Sequence, residues 1–247
     1  MRHDPPAMNR VLDLLRAEEH EHLHPHAAPD ARPAAAPFVT ISRQAGAGGR
    51  TFAQQLAEYL NAHDANAPMR WTVWDNELVE RVAVESHLSK SRVSAAVDDR
   101  PPTWLEEALG SLAISTGGLD DHGIYKRVAT TIRALAALGR VIIVGRGAAF
   151  ATAGMPGGTH LRLVAPLATR VANTVESTGL SRALAADWVK DRDAARAAFY
   201  RRHWPTHSLD PENFTVTLNT AATSTDRLVD CIASLIAVPT PAGSTAS

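Results

Sequence analysis

The sequence predicts an α/β fold in three layers, a parallel sheet of five strands held between helices. Three observations predict it. Strand-like and helix-like runs alternate from residue 38 to residue 237. Val141-Ile142-Ile143-Val144 lacks polar alternation, as expected of a strand buried on both faces. An apolar run at Phe38 enters a glycine-rich turn that opens at once into an amphipathic pattern.

The five β-rich runs are 38–41, 71–74, 141–144, 160–164 and 214–218. Helical spacing occupies 51–62, 76–86, 125–138, 167–176, 181–202 and 225–237. Residues 1–37 read as a flexible segment. Met8, Val11, Leu12 and Leu15 have the spacing of a short helix, and an Ala/Pro-rich linker follows from Ala27 to Pro37. His20, His22, His24 and His26 alternate between them. Clustered histidines are a metal-binding composition, but alternation along a flexible chain preorganises nothing, and a solvated tail is the plainer reading. The main domain spans 38–238. A helical module is inserted at about 76–139, punctuated by Arg100-Pro101-Pro102 and Gly117-Gly118. Residues 239–247 read as a flexible tail.

Composition narrows the function. The 247 residues carry 25 basic and 26 acidic side chains, a net charge of -1, which argues against a cationic nucleic-acid binder. Cys231 is the only cysteine, so an internal disulfide and a Cys-rich zinc site are both excluded. No secretory pattern and no apolar run of about 20 residues is present, so the expectation is a cytoplasmic protein with no membrane partner. Nothing in the sequence marks an oligomeric state.

The most informative stretch is Phe38-Val-Thr-Ile-Ser-Arg-Gln-Ala-Gly-Ala-Gly-Gly-Arg-Thr51. Glycines at 46, 48 and 49 let the backbone turn sharply and approach a ligand. Consecutive N–H groups then converge on an anion, and the following helix adds partial positive charge. This is the physics of a phosphate cradle. The alternative is a tight strand-to-helix turn that binds nothing. Against a nucleotide kinase loop, Arg43 stands at the usual first glycine, Gly49 at the lysine position, and Arg50 one residue later. Thr51 supplies a hydroxyl suited to Mg²⁺ or phosphate.

A second strand, Arg140-Val-Ile-Ile-Val-Gly-Arg-Gly-Ala148, also ends in a glycine turn. In an open parallel sheet it brings Arg146 to the rim that carries the Gly46 loop. An arginine buried there needs an anion or a carboxylate, and Asp75 is the structural alternative.

These segments carry a resemblance. Ile41-Ser-Arg-x-x-Gly-x-Gly-Gly-Arg50, Trp74-Asp-Asn-Glu-Leu78, Ile143-Val-Gly-Arg-Gly-Ala148, His160-Leu-Arg-Leu-Val-Ala-Pro166 with Arg170, and Leu218-Asn-Thr220 are similar, in order and spacing, to the cytidylate kinase-like family. The resemblance covers about 38–237. It implies a three-layer P-loop kinase fold with a monophosphate-binding module at 76–139 and a lid at about 180–210. The implied reaction is transfer of the ATP γ-phosphate to CMP, dCMP or a related monophosphate, with ATP and Mg²⁺ as cofactors and nucleotides as partners. The alternatives are a catalytically weak or inactive nucleotide-binding sensor and a P-loop transferase acting on a small hydroxyl substrate.

The resemblance also implies roles. Arg43, Gly46, Ala47, Gly48, Gly49, Arg50 and Thr51 form the donor cradle. Asp75 orients the acceptor or, with Thr51, holds Mg²⁺; capping the helix at Asn76 is its structural alternative. Arg100, Lys126 and Arg146 are candidates for the acceptor phosphate, and Arg146 also for catalysis. Arg170 is expected near the transferring phosphate, a solvated helix face being the alternative. Asp187 to His203 is expected to form a lid helix pair, with Arg192 and Arg196 four apart on one face as clamps; Asp–Arg pairing on the surface competes with that reading. Asn219 and Thr220 line the adenine side or merely turn the chain. Arg201, Arg202 and Trp204 as a nucleic-acid patch find no support in the net charge.

Overall fold

The computed structural model describes residues 36–64, 69–75, 121–145, 147–204 and 209–236. The chain divides into two compact units, residues 1–27 with 77–131 and residues 28–76 with 132–247. Of the first, residues 121–131 are described, the opening turns of one helix.

The described elements run Phe38–Arg43 (β1), Gly49–His63 (α1), Thr72–Trp74 (β2), Asp121–Leu138 (α2), Val141–Val144 (β3), Ala148–Ala151 (α3), Gly158–Val164 (β4), Leu167–Thr178 (α4), Arg182–His203 (α5), a 3-10 turn at Pro211–Asn213, Val216–Asn219 (β5) and Thr225–Leu235 (α6). The sheet has the order β2-β3-β1-β4-β5, and every pairing is parallel. Ile41 of β1 lies opposite Val144 on one side and Leu161 on the other. The strand order therefore reverses beside β1, where open α/β sheets bind ligands at the carboxyl ends of their strands.

Side chains alternate across the sheet. Val39, Ile41, Ile142, Val144, Leu161 and Leu163 share a core with Phe52, Leu56 and Leu60 of α1 and with Leu228, Val229 and Ile232 of α6. Phe52, Leu56 and Leu60 are four apart, hence on one helix face. Each contributes roughly 1.5–3 kcal/mol by leaving water. Phe38, Thr40 and Ile143, on the opposite face of the sheet, are also buried. On that side Tyr200 of α5 reaches the Ser42 hydroxyl at 3.4 Å.

The structure moves several predicted boundaries. α1 opens at Gly49 because the left-handed Gly48 (φ 75°) already turns the chain into the helix. α2 begins at Asp121, four residues before the expected start. β5 starts at Val216, because Phe214 ends the 3-10 turn and packs on Phe150 at 6.2 Å between ring centres. The expected lid helix pair within 187–203 is corrected to part of one continuous helix, α5, whose N-cap Ser181 accepts from the Leu184 N–H at 3.4 Å. With no glycine, proline or capping signal between Ala183 and Arg202, nothing in the chain ends the helix. The helices expected at 8–15 and 76–86, the histidines at 20–26 and most of the 76–139 insertion lie outside the described residues.

Candidate functional site

β1 delivers the chain to the sheet's carboxyl edge, and residues 44–48 turn it into α1. Gly46 (φ 73°) and Gly48 (φ 75°) both adopt the left-handed region that other residues avoid. They do so for different reasons. A Cβ on Gly46 would sit 2.3 Å from the carbonyl oxygen of Arg170, so glycine is what lets α4 pack against the loop. Among the described residues a Cβ on Gly48 would meet nothing within 4 Å, so that side of the loop is open with respect to them. Gly48 caps α1 without any side-chain hydrogen bond. The first amides of a helix have no partner within it, and here no capping side chain takes them. With the helix dipole, such amides are the usual setting for an anion.

The back of the loop is closely held. The Arg170 guanidinium donates to the carbonyls of Ala165 (3.0 Å) and Ala45 (3.2 Å) and pairs with Asp193 at 2.5 Å. The other Asp193 oxygen accepts the Ala45 N–H at 2.7 Å. Asn173 donates to the Gly46 carbonyl at 2.9 Å, and the Thr220 hydroxyl donates to the Ala47 carbonyl at 3.2 Å. Ala45, Val171, Ala185 and Val189 form a small apolar cluster that seats α4 and α5 beneath this network.

The expected site residues are distributed as follows. The Arg43 stem lies across Gly49, its Cγ 3.0 Å from where a Cβ would be. Arg50 extends from the exposed first turn of α1 and pairs with Asp75 at 2.5 Å; its own side chain is 63% exposed. That pair spans the carboxyl edge between the helix after β1 and the end of β2. Thr51 is exposed in the same turn. Arg170 is buried behind the loop, where it supports the loop rather than facing its open side. Arg192 and Arg196 diverge: Arg192 stacks over the Trp188 ring at 5.2 Å, whereas Arg196 turns toward Asp193 at 3.6 Å. Asn219 accepts from the Ala221 N–H at 3.0 Å in a strand-end turn. Arg100, Arg146 and the side chain of Lys126 lie outside the described residues.

A cavity of about 130 Å³ opens beside the loop at the ends of β1 and β4, lined by Ser42, Arg43, Arg162, Asp193, Arg196 and Tyr200 among others. One water needs roughly 10–15 Å³, so the cavity has room for a small group. Arg162 was not singled out from the sequence. It donates to the Leu209 carbonyl and lies 5.6 Å from the Phe214 ring centre. Burial lowers its pKa, while Tyr200 and Asp210 oppose that shift. The signals for these residues were present. Strict alternation in β4 sends Arg162 away from Leu161 and Leu163, and Asp193, Arg196 and Tyr200 are three and four apart on α5.

The chemistry is compatible with the phosphates of a nucleotide: a helix start with no side-chain cap, an open face at Gly48, the Arg43 stem over Gly49 and Arg50 in the first turn of the helix, paired with Asp75. The oxygens expected for a divalent cation are those of Thr51, exposed in the first turn of α1, and Asp75, which pairs with Arg50. Among the described residues no cluster of three His, Cys, Asp or Glu exists. Mg²⁺ bound with phosphates takes one or two carboxylates and water, so such a cluster is not required. No described helix is long and apolar enough to cross a membrane.

A five-stranded parallel sheet in this order, with a glycine loop running from its central strand into a helix, defines a P-loop kinase-type fold. The chain belongs to the cytidylate kinase-like family, whose model matches residues 38–222. Among solved structures it is similar to an uncharacterized protein from Eubacterium ventriosum, at 19% identity over 81% of this chain and 98% of that one, with a TM-score of 0.58. It is also similar to a shikimate kinase from Bacteroides thetaiotaomicron, at 15% identity over 81% and 97% of the two chains and a TM-score of 0.44. A gluconokinase from Sinorhizobium meliloti gives 13% identity over 83% and 95%, with a TM-score of 0.45. No curated protein matches the sequence.

Proposed function

We propose that the protein is a nucleoside monophosphate kinase-like phosphotransferase of the cytoplasm, moving the γ-phosphoryl group of ATP onto a phosphate oxygen of CMP, dCMP or a related monophosphate with Mg²⁺. One observation carries this reading: the start of α1 is uncapped and open at Gly48 in a member of a cytidylate kinase-like family. Phosphoryl transfer is mainly positioning and charge neutralisation, and the residues at hand supply both. Gly46, Ala47, Gly48 and Gly49 form the cradle for the donor phosphates, the Ala47 N–H closing its turn on the Gln44 carbonyl, with Arg43, Arg50 and Thr51 beside it. A cavity lined by Arg43, Arg162, Asp193 and Arg196 lies beside the loop. Asp75, with Arg100 and Arg146, completes acceptor binding in this reading, and Asp75 with Thr51 holds the cation. Residues 76–139 act as the acceptor module and 180–210 as the lid.

A second reading, a nucleotide-binding sensor without transfer, is favoured by one feature. Gly49 stands where related loops carry lysine, and the neighbouring Arg50 is committed to Asp75. ADP release is measured with ATP, Mg²⁺ and a panel of ribo- and deoxynucleoside monophosphates, alongside calorimetric nucleotide binding. Turnover with CMP or dCMP supports the kinase. Binding without turnover on any monophosphate overturns it in favour of the sensor, and absence of binding removes both. Arg50→Ala is expected to weaken ATP binding roughly tenfold, the loss of about 1.4 kcal/mol.

A further inference from the structure

Resting on that reading of the loop, we infer that Asn173 and Thr220 are positioning residues for phosphate binding, because they fix which way the loop's peptide groups point. Three consecutive carbonyls, those of Ala45, Gly46 and Ala47, each lie in hydrogen-bond reach of a side chain outside the loop: Arg170 at 3.2 Å, Asn173 at 2.9 Å and Thr220 at 3.2 Å, whose hydroxyl is also 3.4 Å from the Val164 carbonyl. A trans peptide is planar, so the carbonyl of one residue and the N–H of the next point in opposite directions. Holding the Ala47 carbonyl on Thr220 therefore turns the Gly48 N–H away from β5. Holding the Gly46 carbonyl on Asn173 directs the Ala47 N–H to the Gln44 carbonyl, 3.3 Å away, and closes the turn.

The arrangement matters because Gly46 and Gly48 carry no side chain to restrain them. Glycine has two nearly equal halves of φ space, and a peptide beside it flips at little cost. A flipped Ala47–Gly48 peptide aims a carbonyl oxygen where an anion needs an N–H. The cradle is preorganised only if something outside it holds the oxygens, and donors aimed in advance are what make such sites effective. Asn173 comes from α4 and Thr220 from the turn after β5, so two separate elements brace adjacent peptides. Neither residue needs to touch the ligand.

The test uses inorganic pyrophosphate and ADP as calorimetric probes on the full chain. Thr220→Val removes the hydroxyl at constant shape, Thr220→Ser keeps it, and Asn173→Leu removes the amide. Thr220→Val and Asn173→Leu are each expected to weaken both probes about fivefold to tenfold, the scale of one lost hydrogen bond. Thr220→Ser is expected to stay within about twofold of the parent. The Gly48 amide resonance supplies a signature a merely structural role does not give: in the parent and in Thr220→Ser it shifts on adding pyrophosphate, and in Thr220→Val that shift is reduced. If one variant fails to fold, the other decides. Parent and variants binding pyrophosphate equally overturns this inference while leaving the phosphate site intact. Thr220→Ser falling with Thr220→Val overturns it too, since the methyl group would then be what matters. A parent that binds neither probe overturns both this inference and the reading beneath it.

Discussion

Gly46 and Gly48 share a left-handed φ, 73° and 75°, but a methyl group added to each meets different surroundings. At Gly46 it lands 2.3 Å from the Arg170 carbonyl, which is backbone and cannot swing aside. At Gly48 it meets none of the described residues within 4 Å. Gly46→Ala therefore adds overpacking to conformational strain and is expected to cost about 2–4 kcal/mol of stability. Gly48→Ala carries the strain alone, about 1–2 kcal/mol. The midpoints of urea unfolding check the difference. Equal losses would mean that α4 yields and does not fix the loop. The comparison also separates two uses of glycine within one motif: Gly46 serves packing, and Gly48 serves the turn into α1.

α5 is anchored at its two ends by different chemistry. Its first half is capped by Ser181 and buries Ala185 and Val189 against Ala45 and Val171. Its last turns end at Trp204, whose ring lies so close to Gly147 that a Cβ there would be 2.2 Å from it. Phe150 lies 5.1 Å and Tyr200 6.0 Å from Trp204 between ring centres. Trp204→Ala is expected to cost about 2–3 kcal/mol, less than a fully buried tryptophan because the residue is only partly buried. It should raise amide exchange in the last two turns of α5 well above that in the first two. Uniform exchange along the helix would show that the aromatic contacts do not anchor that end. This anchor was only half legible. The order of elements follows from period and punctuation, so β3 is found at its full length and α4, α5 and α6 within a few residues. In the sequence Trp204 stands out only as part of a nucleic-acid patch with Arg201 and Arg202, a reading the net charge does not support. Its partner Gly147 lies 57 positions away, and no local pattern joins them.

The same distinction between local and distant partners decides how much of the site could be read in advance. The glycine loop was legible because strand, turn and helix are contiguous. The groups that hold it were not, since Arg170, Asn173 and Thr220 stand 125, 127 and 173 positions from the residues they bind. The sequence placed Arg170 near a ligand by resemblance, and the fold shows it engaged with protein on three sides. Long-range polar contacts of this kind also tie global stability to single groups, and His160 is the clearest. Its Nδ1 and the fully buried Thr40 hydroxyl lie 2.8 Å apart, and the Phe38 ring packs edge-on at 6.0 Å. Burial holds its pKa below the ordinary 6.5. The unfolded chain therefore takes up the proton first as pH falls, and the side with more bound protons gains. The stability that neutral His160 provides is complete above about pH 6.5 and is lost as pH falls from there through its folded pKa, at a slope no steeper than about 1.4 kcal/mol per pH unit. His160→Asn keeps a polar partner for Thr40 but cannot titrate. Urea unfolding at pH 7.5 and pH 5.5 should show the parent losing more stability than the variant across that interval. Identical losses would mean that His160 charges as readily in the fold as out of it, and that its burial against the sheet carries no electrostatic cost.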